Sequence, residues 1–290
     1  MNMNQAMLTD LYEFSMANGY CATLPHEDQA VFDIFYRNVP DHGSFVIAAG
    51  LQQVVEALRD FHFEDADIQY LRSLKLYSDT FLDYLKTMKL ACTVTALPEG
   101  TPVFPREPLL TVQGPLMQVQ LLETLLLNIV NHQSLIATKA RRITAAAEGR
   151  PVMEFGARRA QGPDASVYGA RAAVIGGCAS TSNVLAAQRF NIPAAGTMAH
   201  SWIEAFPDEL SAFRAWAKVY PDNSALLVDT YDVLKSGVPN AITVFKELKA
   251  AGHHPVGIRI DSGDITQLAK QARKMLDDAG FPDAKITASN

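Results

Sequence analysis

From residue 152 onward the chain alternates short extended runs with segments long enough to hold a crossover helix, and this rhythm restricts the fold more than any other feature. The runs end near Phe155, Thr197, Asp229, Asp261 and Asn290, and the last two intervals are each about 30 residues, the length of a βαβ unit. The clearest helix follows Asp261. Asp264 is placed to cap it with Gln267 at the third position, and Ile265, Leu268, Ala269, Ala272, Met275 and Leu276 form one apolar face before Gly280 and Pro282 stop it. Residues 240–251 repeat the scheme, with Asn240 as cap, Ala241, Val244, Phe245 and Leu248 on one face, and Gly252 as terminator. Such alternation predicts parallel strands wrapped by helices, either as a barrel or as an open doubly wound sheet. Both place ligands at the carboxyl edge, so spacing leaves the two open.

The part before this rhythm is less regular. Residues 1–115 mix short helical and extended patterns, with turn clusters at Pro40-Asp41-His42-Gly43 and Pro98-Glu99-Gly100, which predicts an α+β domain. Leu121, Leu122, Leu125, Ile129, Leu135 and Ile136 recur at mainly helical spacing, so one long connecting helix is expected within residues 116–150, leading into a third segment, residues 151–290.

Charge and cysteine usage exclude several classes. With 31 acidic against 25 basic residues and no basic run longer than Arg141-Arg142 or Arg158-Arg159, the chain lacks the basic footprint that nucleic acid requires. Cys21, Cys92 and Cys178 lie far apart in no metal-ligand spacing, which fits free thiols in a reducing compartment. The first ten residues lack a basic segment followed by an apolar stretch, and the longest apolar run, residues 121–130, is broken by Glu123, Thr124 and Asn128. A cytoplasmic protein with no membrane association is expected.

Four of the run ends concentrate polar chemistry: Glu154-Phe155-Gly156-Ala157-Arg158-Arg159, Gly196-Thr197-Met198-Ala199-His200-Ser201, Asp229-Thr230-Tyr231-Asp232 and Arg259-Ile260-Asp261-Ser262-Gly263-Asp264. Singly, each has a bland reading: Arg158 as a surface ion pair, His200 as a satisfied core histidine, Asp229 or Asp264 as a helix cap. Parallel strands, however, bring all four to one rim. Two arginines, several carboxylates and a histidine there suit a polyanionic substrate with a divalent metal, since arginine grips carboxylate or phosphate bidentately and Asp favours Mg²⁺ or sugar hydroxyls. The phosphate-loop pattern GxxxxGK[ST] and the dinucleotide pattern GxGxxG are both absent. Gly176-Gly177 is weak evidence for a phosphate nest, and close helix packing is the plainer reading.

Together with the opening Leu8-Thr9-Asp10-Leu11-Tyr12 and the stretch Phe155-Gly156-Ala157-Arg158-Arg159-Ala160-Gln161-Gly162-Pro163-Asp164, these motifs resemble the nicotinate phosphoribosyltransferase family, from about residue 8 to the last residue. The resemblance implies an N-terminal α+β domain packed on an irregular, TIM-like (β/α) barrel, in a homodimer with active sites at the subunit interface. The implied reaction forms nicotinate mononucleotide and diphosphate from nicotinate and phosphoribosyl diphosphate, with Mg²⁺ as cofactor and ATP as co-substrate.

By the same resemblance, Tyr12 of one subunit and Phe155 of the other sandwich the pyridine ring, an offset stack suited to a flat substrate. Arg158 and Arg259 match arginines over the substrate carboxylate and ribose phosphate. Asp229 and Asp261 match positions near the ribose and the Mg-diphosphate, and Thr197 falls among the substrate-binding positions. His200 matches the histidine that the family phosphorylates with ATP. Ser182 stands where nicotinamide-specific relatives carry an acid that accepts from the amide; a hydroxyl there favours nicotinate over nicotinamide.

Besides nicotinamide phosphoribosyltransferase, a relative that shares the architecture and the histidine, two alternatives accompany this reading. Quinolinate phosphoribosyltransferase matches the length, but uses no phosphohistidine. A non-catalytic fragment or regulatory binding protein is the other, because extended runs from residue 152 give about five strands, whereas a closed barrel needs eight and roughly 250 residues of its own. The family's later strands and glycine-rich 5-phosphate site are not found, so the barrel is expected to be truncated and the chain to have little activity without its other part.

Overall fold

In a computed structural model, which describes residues 4–289, the chain divides into two compact units between Ala195 and Gly196. That boundary lies inside the third segment expected from the sequence. The first unit opens with α1 (Leu11–Thr23), β1 (Gln29–Phe35) and β2 (Val46–Ile47), followed by α2 (Leu51–Arg59), α3 (Asp65–Ser73) and α4 (Asp79–Thr87). Strands β3 (Thr93–Ala96), β4 (Pro102–Val103) and β5 (Pro108–Pro115) come next; β5 lies antiparallel between β1 and β3, and β2 pairs with β4. Exposure alternates along β1, turning Ala30, Phe32 and Ile34 inward and leaving Val31 and Phe35 outside, as in an antiparallel sheet with one wet face. Ser78 caps α4 by accepting from the Phe81 N–H, and Phe81, Leu82 and Leu85 of that helix join Phe14, Val112, Leu122 and Leu125 in the core.

The single long helix expected over residues 116–147 is interrupted, giving α5 (Leu116–Leu121) and α6 (Glu123–Ala146). At Leu122 the N–H turns to Val119 O at 3.2 Å, a tightened i→i−3 step that jogs the axis while burying Leu121 and Leu122. Apolar spacing alone does not register such a step.

Strand β6 (Met153–Glu154), α7 (Pro163–Ile175), β7 (Ser180–Thr181) and α8 (Val184–Phe190) complete the unit. β6 and β7 are parallel, and Ala194 bridges Thr181 in the same sense, which is all the strand that forms where a run ending near Thr197 was expected. β7 itself is invisible to apolar patterning because it consists of two buried polar residues. A Cβ on Gly176 would run into the Ala137 carbonyl and Ala140 of α6, so this glycine serves close packing of α7 on α6.

One part-buried ion pair ties the sheet side of this unit to α7. Arg171 donates to both Glu99 oxygens, at 2.8 and 2.6 Å, and Glu99 also accepts the Gly50 N–H at 2.7 Å. Burial pushes the Glu99 carboxyl up, but Arg171 and Gly50 outweigh it and hold the group below its ordinary value. Its contribution is therefore present above the unfolded carboxylate value of about 4.3 and fades as pH falls through the folded value. Arg171→Ala, which strands a part-buried carboxylate, is expected to cost about 2–3 kcal/mol at neutral pH, below the range for a fully buried pair. The deficit in a thermal melt should shrink at pH 4, where the stranded carboxyl is protonated; an equal deficit at both values refutes this account.

The second unit contains α9 (His200–Glu204), α10 (Glu209–Val219), β8 (Ala225–Leu227), α11 (Val238–Ala250), β9 (Gly257–Ile260), α12 (Ile265–Asp278) and β10 (Lys285–Ala288). β9 lies parallel between β8 and β10, and all its residues are buried, as expected of a strand covered on both faces. Asp264 caps α12 by accepting the Gln267 N–H at 3.0 Å, as its spacing predicts. Asn240 is not a cap: a wide turn over Val233–Gly237 precedes α11, Asp232 accepts the Leu234 and Lys235 N–H groups there, and the Asn240 amide donates to Glu209 at 2.9 Å. An earlier capping carboxylate thus displaced the later amide.

The architecture is α/β, an N-terminal α+β portion followed by parallel βα repeats. Within each unit successive parallel strands are neighbours, without the reversal of order that an open doubly wound sheet requires, and this is the winding of a partial (β/α) barrel. Among the described residues, no helix is long and apolar enough to cross a membrane.

Candidate functional site

Strand register builds the polar rim of the second unit. Leu227 and Thr287 both pair with Arg259, so two residues further on Asp229, Asp261 and Ser289 occupy the same step of three adjacent strands. Arg259 sits beneath them inside the all-buried β9, at 8% exposure. A guanidinium taken out of water needs its donors satisfied, and here the partners are part of the protein. Nε donates to Ser289 Oγ, one terminal nitrogen to Thr197 Oγ1 and the other to Asp261 Oδ1, each at 2.8 Å.

Asp261 links Arg259 to the rest of the rim. Its Oδ1 also accepts the Ser289 hydroxyl, and its Oδ2 lies 3.7 Å from His200 Nε2. Burial raises the Asp261 carboxyl, but Ser289, Arg259 and His200 together hold it below its ordinary value. His200 is the first residue of α9, and its other ring nitrogen, Nδ1, lies 3.1 Å from Thr230 Oγ1. Asp229 accepts the Asp261 N–H at 3.1 Å and the Ser262 hydroxyl through Oδ2. Its Oδ1 is buried and has no hydrogen-bond partner among the described residues. A carboxylate oxygen left in that state is ready for a hydroxyl or a hard cation.

The second unit thus brings together His200, Asp229, Asp261, Arg259 and Thr197. Asp232 and Asp264, from the same motifs, are helix caps, and Tyr231 is exposed.

In the first unit, Glu154 pairs with Thr181, so Phe155 and Ser182 follow side by side at the carboxyl ends of β6 and β7; the Ser182 N–H donates to Glu154 O at 2.9 Å. Phe155 is half-buried, Ser182 exposed, and Arg158 exposed in the short turn Ala157–Arg159. The Glu154 carboxylate accepts the Thr181 hydroxyl at 2.6 Å and the Gly156 N–H, which fixes the turn carrying Arg158. Tyr12 lies in the first turn of α1, 45% exposed, and donates to Glu123 Oε1 at 2.8 Å. That bond, with some burial and the neighbouring acids, pushes its phenol up to about 12.

Sequence reasoning assigned no role to Thr230, Ser262, Ser289, Glu154 or Glu123. Thr230 and Ser262 lie inside motifs already singled out, and Ser289 stands at the strand step of Asp229 and Asp261, a signal that a register-based reading would have used. Among the described residues, no group of three or more His, Cys, Asp or Glu side chains is arranged to hold a metal.

Residues 7–131 match the nicotinate phosphoribosyltransferase (NAPRTase) N-terminal domain, and residues 151–286 match the nicotinate phosphoribosyltransferase (NAPRTase) family. The chain is 47% identical over 282 residues to nicotinate phosphoribosyltransferase of Bacillus subtilis (strain 168), covering 97% of this chain and 57% of that protein. It is 39% identical over 320 residues to the Homo sapiens protein of the same name, covering 93% of this chain and 59% of the relative. The crystal structure of human nicotinic acid phosphoribosyltransferase superposes with a TM-score of 0.89 at 37% identity, over 97% of this chain and 68% of that one. A nicotinate-nucleotide pyrophosphorylase from Pyrococcus furiosus shares the fold, with a TM-score of 0.79 at 24% identity over 99% of this chain and 67% of that one. The chain spans less than two thirds of the length of these sequence relatives.

Proposed function

This chain belongs to the nicotinate phosphoribosyltransferase family, and we propose that the protein carrying it joins nicotinate to phosphoribosyl diphosphate, releasing diphosphate, with ATP hydrolysis coupled through His200. The observation that carries this is the His200–Asp261–Arg259 array beside the buried, unpaired Oδ1 of Asp229, inside a chain whose family match covers both portions.

In the proposed reaction the pyridine nitrogen gives its lone pair to C1 of the ribose as the C1–O bond breaks, and diphosphate leaves with that electron pair. The ring nitrogen needs no deprotonation, so positioning dominates. Phe155 and Tyr12, each from a different subunit of a homodimer, supply flat faces for the pyridine; Arg158 supplies a fork for its carboxylate, and Ser182 a hydroxyl that can donate to it. Thr197 and Asp229 serve the ribose. Mg²⁺, when bound, neutralises charge on the leaving diphosphate. Asp229, whose buried Oδ1 has no hydrogen-bond partner among the described residues, would be the carboxylate to hold the ion. Arg259 acts by holding Asp261 and Thr197 in place, because its nitrogens already serve them.

For the coupled step, a carboxylate facing Nε2 favours the tautomer with the proton there, leaving the lone pair on Nδ1 beside the Thr230 hydroxyl. Attack by Nδ1 on the γ-phosphorus of ATP forms the N–P bond, breaks the bond to the ADP oxygen, and leaves a cationic ring stabilised by Asp261.

The test is incubation with γ-labelled ATP, followed by assay of diphosphate release from nicotinate and phosphoribosyl diphosphate. Acid-labile label on the wild type, its loss in His200→Ala, and loss of ATP stimulation with little change in the KM for nicotinate are the expected results. ATP stimulation persisting in His200→Ala refutes the coupling, and a preference for nicotinamide refutes the role given to Ser182.

A further inference from the structure

We propose that Glu123 is the positioning residue for Tyr12, holding its ring at the angle in which it meets the flat face of the substrate; this rests on the stacking role proposed above for Tyr12. An exposed tyrosine in the first turn of a helix turns freely about its side-chain bonds, and a stacking partner that rotates must be ordered each time ligand binds. Here the far end of the ring is tied down by the bond from its hydroxyl to Glu123 Oε1 at 2.8 Å. The second oxygen of Glu123 is held in turn by Gln120 Nε2, also at 2.8 Å, and Gln120 is buried at 2% exposure. The flanking side chains Leu8, Leu11 and Met16 are exposed, so the tethered ring is offered outward.

The attachment of α1 to α6 is a separate matter and belongs to the next residue in each helix. Glu13 is fully buried and accepts from the Thr124 N–H at 2.9 Å and from the Thr9 and Thr124 hydroxyls. Removal of Glu123 therefore loosens the Tyr12 ring without detaching the helix.

The test compares Glu123→Ala, Glu123→Gln and Tyr12→Ala in the full-length protein carrying this sequence. The readouts are nicotinate kinetics and the ¹³Cζ resonance of Tyr12, identified by its absence from Tyr12→Phe. Glu123→Ala is expected to raise the KM for nicotinate by up to about tenfold, the scale of one aromatic stack, with kcat little changed. Its Tyr12 resonance should move toward that of a free phenol. Glu123→Gln, which keeps an acceptor for the hydroxyl while Gln120 turns its amide to match, is expected to restore most of the KM. If Tyr12→Ala raises the KM but Glu123→Ala does not, the positioning role is overturned and the stacking role stands. An unmoved Tyr12 resonance, or kcat and melting temperature falling together in Glu123→Ala, overturns it as well. If Tyr12→Ala leaves the KM unchanged, the stacking role fails and the positioning role fails with it.

Discussion

Arg259→Ala is expected to cost about 3–5 kcal/mol of folding stability, the range for breaking a buried ion pair by removing one partner. The loss is large because the guanidinium joins three elements at once: Thr197 ahead of α9, Asp261 at the end of β9, and Ser289 beyond β10. Without it Asp261 remains a half-buried carboxylate facing one hydroxyl and one imidazole. Arg259→Lys should recover little, since an ammonium cannot reach three directions in one plane. Removing the stranded charge as well, in Arg259→Ala with Asp261→Ala, should cost clearly less than the two single losses added together, the mark of residues in one network.

The pH dependence follows from the depressed Asp261 carboxyl. In the wild type its contribution is complete above the unfolded value of about 3.9 and is lost as pH falls through the folded value. In Arg259→Ala burial is opposed by fewer partners, so the carboxyl rises and protonates earlier, and the gap between the two proteins should narrow on acidification. Urea unfolding at pH 7 and pH 4 measures this, and a gap that widens at pH 4 contradicts the network described.

Gly257→Ala is expected to lower stability by on the order of 3 kcal/mol through two additive penalties. Gly257 begins β9 with φ +152, in a region that side-chain-bearing residues avoid, and a Cβ there would run into the Lys285 carbonyl oxygen across the ladder. The strand cannot shift to make room, because Lys285 pairs with Gly257 and the Lys285 N–H is bonded to Val256 O at 3.0 Å. The first casualty should be pairing of β10, and with it the position of Ser289. Hydrogen exchange should show β10 amides losing protection before those of β8; unaltered protection together with an unaltered melting temperature would falsify this steric account.

Much of the second unit was legible in the sequence because each α/β repeat carries redundant signals. The apolar face of α12, its Asp264 cap and the glycine beyond it agree with one another, and the helix forms where they place it. The rim residues were legible for a related reason, since polar side chains clustered at the ends of apolar runs stand out. What was not legible depended on three-dimensional register or on isolated hydrogen bonds. β7 has no apolar pattern to betray it, the jog at Leu122 has no Pro or Gly to mark it, and Asn240 lost its capping role to a carboxylate eight residues earlier. Arg259 shows the same limit at the site. Its residue type suggested a fork for an anion, and only the folded chain shows that three of its five N–H donors serve Thr197, Asp261 and Ser289.

The shared step of Asp229, Asp261 and Ser289 also determines where such a chain can change length. Side chains on a strand alternate faces, so inserting or deleting one residue within β8, β9 or β10 would swing its rim group to the opposite side and pull the array apart. Insertions in the turns that lead back from α11 and α12 leave the phase of every strand intact. Variation in length should therefore collect at the amino-terminal edge of the sheet, while strand lengths stay fixed by the need to keep three side chains in line.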